Sequence, residues 1–424
     1  MRKLILAFNL CALLSSFKVS AYELLDGLTL KGFGTFNVIY NSIHEADYVE
    51  NYYTQGTGAG KSSDFNWKAA CKAGLQLDWN PNDRIGFTVQ GVTQQLSNGS
   101  WAPQLEWGFV KFQPTSKFSV RIGRLRPSTY MLSEYQNVNY VHPWVRPPAE
   151  FYTPMMPFSN VNGIDMIWKA AIRDVNLLIQ PFYGNGSYNF ILGTKVDTHH
   201  LAGVNLVATY DNFMLQLGAS NHFNNTNNAL LGQAFLALDV ICTLEDKSAC
   251  SNHNALNSQN KRITVFSVGA NWDNEDYFVT GEFATRSTES FIANVSSFYV
   301  SAGTRIGKWT PYILFSHLQN DGSTSFHGGT FQGIAELGFP STNAIVSNIL
   351  QTNPMDQDTY ALGIRYDVLP NVDLKLQWDH IETTTQSGQP GTGGGLFSQV
   401  NNSAQFRDRD NSVDLINLSV DFIF

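Results

Sequence analysis

Along most of this chain apolar and polar residues alternate one by one, the period of a strand whose two faces meet different surroundings. Between residues 67 and 79, Trp67, Ala69, Cys71, Ala73, Leu75, Leu77 and Trp79 share one parity, and Lys68, Ala70, Lys72, Gly74, Gln76 and Asp78 share the other. Residues 372–379 repeat the pattern, with Val372, Leu374, Leu376 and Trp378 set against Asp373, Lys375, Gln377 and Asp379. The last segment does so again, Ile416, Leu418, Val420, Phe422 and Phe424 alternating with Asn417, Ser419 and Asp421. One face suits hydrocarbon and the other suits water.

The same rhythm predicts about sixteen strands, near 28–41, 67–79, 83–95, 104–113, 118–124, 163–170, 174–184, 200–210, 212–222, 262–272, 276–285, 297–306, 309–318, 359–368, 371–381 and 413–424. Short turns and long loops connect them in strict alternation. Turns such as Asn80-Pro81-Asn82-Asp83, Pro114-Thr115-Ser116-Lys117, Asp273-Asn274-Glu275-Asp276 and Leu369-Pro370-Asn371 are rich in residues that reverse a chain. The long loops fall near 42–66, 96–103, 125–162, 185–199, 223–261, 286–296, 319–358 and 382–412. An even number of strands with all short turns at one end is the layout of a transmembrane antiparallel β-barrel. The predicted fold class is therefore all-β.

A soluble β-sandwich also alternates, but two features weigh against it. Trp79, Tyr210, Trp272, Tyr277, Trp309 and Tyr366 fall beside the short turns, and Tyr40, Trp67, Trp107, Tyr183 and Tyr360 fall at the opposite strand ends. Two aromatic bands are what two headgroup regions select. The other parity is too polar and too rich in glycine to fill a dry core, and lipid would leave any open sheet edge unsatisfied.

Composition adds an address. Arg2 and Lys3 precede an apolar run from Leu4 to Leu14, and Val19-Ser20-Ala21 supplies small residues, the pattern of an export signal removed after residue 21. That run is too short for a spanning helix, which needs about 20 residues. Residues 22–424 then form a single barrel domain with 24 basic against 35 acidic side chains, a balance that argues against nucleic acid as a partner. Cys242 and Cys250 lie close enough in one loop to form a disulfide in an oxidising compartment, which leaves Cys71 as a free apolar filler.

The chain resembles the Gram-negative outer-membrane porins in layout, and two segments carry the likeness in detail. One is the last strand, whose alternating apolar residues end on Phe424. The other runs from Arg121-Ile122-Gly123-Arg124-Leu125-Arg126-Pro127 to Tyr140-Val141-His142-Pro143-Trp144-Val145-Arg146-Pro147-Pro148, and is similar to the fifth strand and third loop of many such proteins. The resemblance implies a homotrimer in outer-membrane lipid and lipopolysaccharide. It also implies recognition of Phe424 by the barrel assembly machinery, and a third loop, near 125–162, folded inward to constrict the pore.

Selectivity in a pore follows from fixed charge at its narrowest point. Lys68, Lys72, Arg84, Arg121, Arg124 and Arg126 are the candidate basic wall, and Glu134, Glu150 and Asp165 the candidate acidic side. Facing arrays would set a transverse field on small polar solutes and ions; the bland alternative for each is a solvated lumen residue. Arg305 and Arg365 are secondary candidates. The chain offers no catalytic arrangement of serine, histidine and acid, the histidines lack the spacing of a metal site, and no cofactor is expected. Gly56-Thr57-Gly58-Ala59-Gly60-Lys61-Ser62 imitates a phosphate-binding loop, but Gln55 stands where its first glycine belongs. The function expected is passive diffusion of small hydrophilic solutes and ions; the alternatives are a specific channel for small anionic metabolites and a surface adhesin or receptor working through the long loops. Purified protein is expected to stay in solution only with detergent and to give a β-rich far-ultraviolet circular dichroism spectrum; a chiefly helical spectrum contradicts the barrel.

Overall fold

In lipid a strand must pair on both edges, so a chain of alternating strands has to close on itself. The computed structural model describes residues 22–50, 57–96, 98–155, 160–189, 193–244, 246–290, 292–322, 326–334, 340–350, 356–398 and 401–424, so the expected export segment lies outside the described residues. Sixteen antiparallel strands form the wall: β1 (Leu28–Asn41), β2 (Lys72–Asn82), β3 (Ile85–Gln94), β4 (Gln104–Thr115), β5 (Phe118–Leu125), β6 (Val161–Ile172), β7 (Val175–Asn189), β8 (Lys195–Tyr210), β9 (Phe213–Asn227), β10 (Lys261–Asp273), β11 (Tyr277–Thr288), β12 (Asn294–Thr304), β13 (Trp309–Asp321), β14 (Gln357–Leu369), β15 (Val372–Thr383) and β16 (Asn411–Ile423). Each pairs with the next in sequence, and β16 closes on β1 from Phe33↔Ile423 to Asn41↔Leu415. The seam extends to the last residue, where Gly32 and Phe424 exchange backbone hydrogen bonds of 3.0 and 2.9 Å. Four further short strands make three pairings: Tyr22–Leu25 and Phe65–Asn66 each pair with β1, and Asp47–Tyr48 pairs with Ala59–Gly60.

The outward parity is an exposed apolar belt that includes Leu75, Val89, Phe112, Leu217, Phe283, Val300, Ile313, Leu362 and Leu418. Trp79, Trp168, Tyr210, Tyr277 and Trp309 border it at the short-turn end, and Tyr183 and Tyr360 at the other. No helix among the described residues is long and apolar enough to cross a membrane; the strands do the crossing.

Two boundaries differ from the sequence pattern. Strand β2 starts at Lys72 rather than at 67, because the Asn66 carboxamide accepts the backbone N–H groups of Lys68 (2.7 Å) and Ala69 (2.9 Å) and turns the chain. Trp107 faces inward, not into the aromatic band. A bulge at Glu106, where the β3–β4 register steps from Gln90↔Trp107 to Gly91↔Leu105, adds one residue and exchanges the two faces.

The loop between β5 and β6, called L3 here, enters the barrel. The Thr129 carbonyl accepts from Gln216 on β9 (3.0 Å) and Ser267 on β10 (2.6 Å). The loop descends to the short-turn end, where the Tyr140 hydroxyl donates to the Pro370 carbonyl (2.6 Å). It then climbs through helix α1 (Ala149–Met155) back to β6. Its Tyr130, Trp144, Phe151 and Tyr152 pack with Tyr299, Tyr312 and Leu314 on the inner face of β12 and β13. Phe151 meets Tyr299 edge to face at 5.4 Å, and Trp144 meets it at 5.6 Å. Each such pair adds roughly 0.5–1.5 kcal/mol to the burial of its rings.

The loop from 228 to 260 is not the plain polar segment its position suggests. It carries helices α2 (Ala229–Thr243) and α3 (Lys247–Leu256), which pack on α4 (Thr342–Leu350) from the loop between β13 and β14 through Leu238, Ile241, Leu256, Ile345 and Val346. The Cys242 and Cys250 sulfurs are bonded, tying α2 to α3. Asp246 joins the two loops: it accepts from Ser248 on α3, and from Thr330, Phe331 and Thr342 in the other loop, at 2.7–3.0 Å. Burial opposes its charge, but those four donors hold the carboxyl well below the usual carboxylate range.

Close contact between L3 and the wall gives a direct test. A Cβ at Gly218 on β9 would lie 2.0 Å from the Thr129 carbonyl oxygen. Gly218→Val is expected to cost about 1–3 kcal/mol and to lift L3 from the wall, measured as a lower melting temperature in detergent and faster protease cleavage within residues 126–160.

Candidate functional site

L3 divides the inner face of the barrel into a covered side and an open one. On the covered side, from β10 round to β1, the apolar patch of β10–β14 gives way to buried charge. The Arg146 guanidinium of L3 donates to Asp379 on β15 (2.6 Å) and Asn417 on β16 (2.9 Å), with the Tyr48 ring 4.9 Å from its centre. Lys375 on β15 binds Asp421 on β16 (2.9 Å) and donates to the Asn139 carbonyl (2.7 Å). Arg365 on β14 donates to the Tyr140 carbonyl (2.5 Å) and stands 3.3 Å from Asp373. In such a place, removing one partner leaves an unpaired buried charge.

The expected site residues separate on this frame. Glu150 lies on the covered side, where its carboxylate accepts from Ser316 on β13 (2.6 Å) and from Gln357 (2.6 Å) and Thr359 on β14. It anchors α1 and faces no basic wall. Arg121 on β5 is buried and held by Asp165, its register partner on β6, in a two-nitrogen contact with Nε at 2.9 Å, and by Glu134 of L3 at 2.7 Å. These two acids neutralise Arg121 locally instead of opposing it across the opening.

Lys72 pairs with Glu50 (3.0 Å), and Arg126 lies 3.7 Å from Glu106. The remaining basic candidates lie at the ends of the barrel. Arg124 has the parity opposite to Arg121 and sits at the rim, where it borders the cavity toward the long loops and donates to Asn162 (3.2 Å) and to the Leu105 carbonyl (3.1 Å). Arg84 is exposed in the short β2–β3 turn, and Lys68 is exposed beyond the end of β2, with its ammonium 5.6 Å from the Trp67 ring centre. A strand alternates its faces, so three arginines at 121, 124 and 126 cannot all share one. Of the secondary candidates, Arg305 pairs with Asp273 (2.7 Å) at the short-turn end, and Arg365 is spent on holding L3.

On the open side two cavities lie end to end along β2–β6. The one toward the long loops, of about 420 Å³, is lined by Glu50, Lys72, Glu106, Arg124, Arg126 and Tyr152, and two of its three cations, Lys72 and Arg126, each face a carboxylate. The other, of about 350 Å³, opens toward the short turns and is lined by Lys31, Asp78, Lys111, Lys117, Arg121 and Lys169. Its lysines were absent from the candidate wall. Lys169 shares the parity of Asp165 and was within reach of the pattern, whereas the bulge at Glu106 hid the inward turn of Lys111.

No family model matches the chain, and no curated protein matches it in sequence. Its structural neighbours are Gram-negative outer-membrane porins and channels. It is similar in fold to the outer membrane channel DcaP of Acinetobacter baumannii, with a TM-score of 0.54 and 9% identity over 96% of this chain and 100% of that one. It is similar likewise to the anion-selective porin from Comamonas acidovorans, at 0.52 and 11% over 94% and 99%. A third is OmpT, an outer membrane protein of Vibrio cholerae, in its trimer form, at 0.51 and 8% over 94% and 99%. At such identities the likeness establishes the barrel fold.

Arg146→Ala would leave Asp379 buried without its cation, an expected loss of about 3–5 kcal/mol from the attachment of L3. The measurement is single-channel recording: the variant is expected to show larger or fluctuating current steps, and wild-type traces would show that Arg146 does not hold the loop.

Proposed function

We propose that this chain is a channel of the bacterial outer membrane through which small hydrophilic solutes and ions diffuse passively. One observation carries the reading: a closed barrel with a lipid-facing outside leaves space between its β2–β6 wall and the inserted loop, which meets that wall through Glu134, and charged and amide side chains line the wall around two cavities. A plug would have to cover this wall as L3 covers the other. The address expected from residues 1–21, insertion through Phe424, lipopolysaccharide as neighbour and a homotrimeric assembly belong to the same proposal. The trimer is supported by the form in which the Vibrio cholerae neighbour is described.

A second reading has its own support. Helices α2, α3 and α4 build a cross-linked outer subdomain, and Leu236 and Val240 on α2 with Leu244 just after it are exposed, a surface an adhesin or receptor would use. The two roles are compatible in one molecule. Specificity for small anionic metabolites remains part of the channel proposal.

Liposome swelling with sugars and acids of graded size tests the channel directly; the absence of swelling with any solute rejects it. For ion preference, Arg121→Ser and Arg126→Ser are expected to move reversal potentials toward cations, since each leaves carboxylates behind in the lumen. Arg124→Ser, at the rim of the same cavity as Arg126 and without a carboxylate partner, is expected to move them less.

A further inference from the structure

The fixed charge of the lumen is lopsided along its axis. Toward the long loops two of the three cations lining the cavity are matched, Lys72 by Glu50 and Arg126 by Glu106, and the third, Arg124 at the rim, is held by the Asn162 carboxamide and the Leu105 carbonyl. Toward the short turns the acids are used up. Asp78 binds Lys31 (2.9 Å) and also accepts from Gln76 (2.8 Å) and Thr88 (2.8 Å), while Asp165 and Glu134 are committed to Arg121. Lys111, Lys117 and Lys169 line the same cavity, and among the described residues none of them forms an ion pair with a carboxylate.

Their placement concentrates the charge. Lys111 on β4 is the register partner of Arg121 on β5, and the Lys169 N–H donates to the Lys117 carbonyl (2.8 Å) on the adjacent chain segment. Like charges set opposite each other across strands cost stability. Two such juxtapositions around one cavity of about 350 Å³, half-buried at Lys111 and open to solvent at the other two, are what an anion in transit would relieve.

We propose that this cluster is a binding station for small oxyanions of two or more charges, such as di- and tricarboxylates or inorganic and organic phosphates, at the short-turn mouth of the lumen. The station rests on the channel reading for its role, and gives the channel a direction. Unmatched positive charge at one mouth raises the local anion concentration there, so current carried by anions rectifies in dilute salt. At 0.1 M ionic strength the screening length is about 10 Å, enough to reach across a cavity of this size. The lysines supply point charges on flexible stems, which suits anions of varied shape better than a fixed guanidinium fork.

The test has two arms on the full-length folded protein. Calorimetric titration in detergent and dilute salt uses inorganic pyrophosphate and citrate as probes, separating phosphate from carboxylate preference. Planar-bilayer recording then measures rectification and block by each probe added to one side at a time. Wild type is expected to bind at least one probe, to lose affinity as salt rises and to be blocked more readily from one side. The triple variant Lys111→Gln, Lys117→Gln, Lys169→Gln should bind at least about tenfold more weakly, some 1.4 kcal/mol, and should conduct without rectifying. It removes repulsion rather than contacts, so folding is expected to hold; the corresponding triple Arg variant must retain binding. Lys61→Gln, in an exposed loop at the other end, serves as the control. Equal affinity in wild type and the triple Gln variant, or no binding by wild type, overturns the station. Conductance without binding keeps the channel and rejects the station, whereas binding without conductance keeps the anion site and rejects the channel.

Discussion

Hydrocarbon offers no partner to a backbone N–H or C=O, and the whole architecture follows from meeting that demand. Sixteen strands satisfy one another in sequence order, and the last returns to the first along a seam that extends to Phe424. Closure frees the side chains from any part in covering an edge. The outward set can then be apolar and the inward set free to meet water or the inserted loop, and this is why the chain alternates with period two over its spanning length.

Closure also creates an inside that side chains alone do not fill, and L3 is the answer to half of it. The loop is held by two unlike means on neighbouring strands. Aromatic packing on Tyr299 and Tyr312 supplies area, while the buried contacts of Arg146 with Asp379 and of Lys375 and Arg365 with loop carbonyls supply position. Buried charge of this kind adds little net stability, yet it makes any other placement of the loop costly. The cavities along β2–β6 owe their shape to that specificity, because a loop attached by packing alone has several ways to settle in a wide barrel.

The two ends of the barrel differ because their connections do. Two-residue turns such as Arg173-Asp174 and Asp211-Asn212, with Arg173 and Asp211 at positive φ, join strands in the geometry that matches sheet twist. These leave the short-turn mouth open, edged by Lys117 and Lys169. At the other end the long connections become structure in their own right. Residues 43–50, 57–71, 384–398 and 401–410 cover the upper inner face of β15, β16 and β1 through Tyr48, Phe397 and Phe406, while α2, α3 and α4 form an apolar unit locked by a disulfide and by Asp246.

Alternation determined the fold class, the number of strands, their order and the side of each strand that meets lipid. These are local consequences of one repeated physical difference between neighbouring residues. What alternation cannot register is a change of phase: the one-residue bulge at Glu106 turned Trp107 inward, and Lys111 with it, while the Asn66 turn removed Lys68 from β2. Nor does it register a partner far along the chain. Asp165 and Glu134 were legible as acids and Arg121 as a base, but only the packing of L3 set them against each other and sent Glu150 to the opposite wall among neutral donors. Strand faces depend on nearest neighbours and are written in the sequence. The electrostatics of the lumen depend on where a loop comes to rest, which is decided by contacts between residues more than a hundred positions apart.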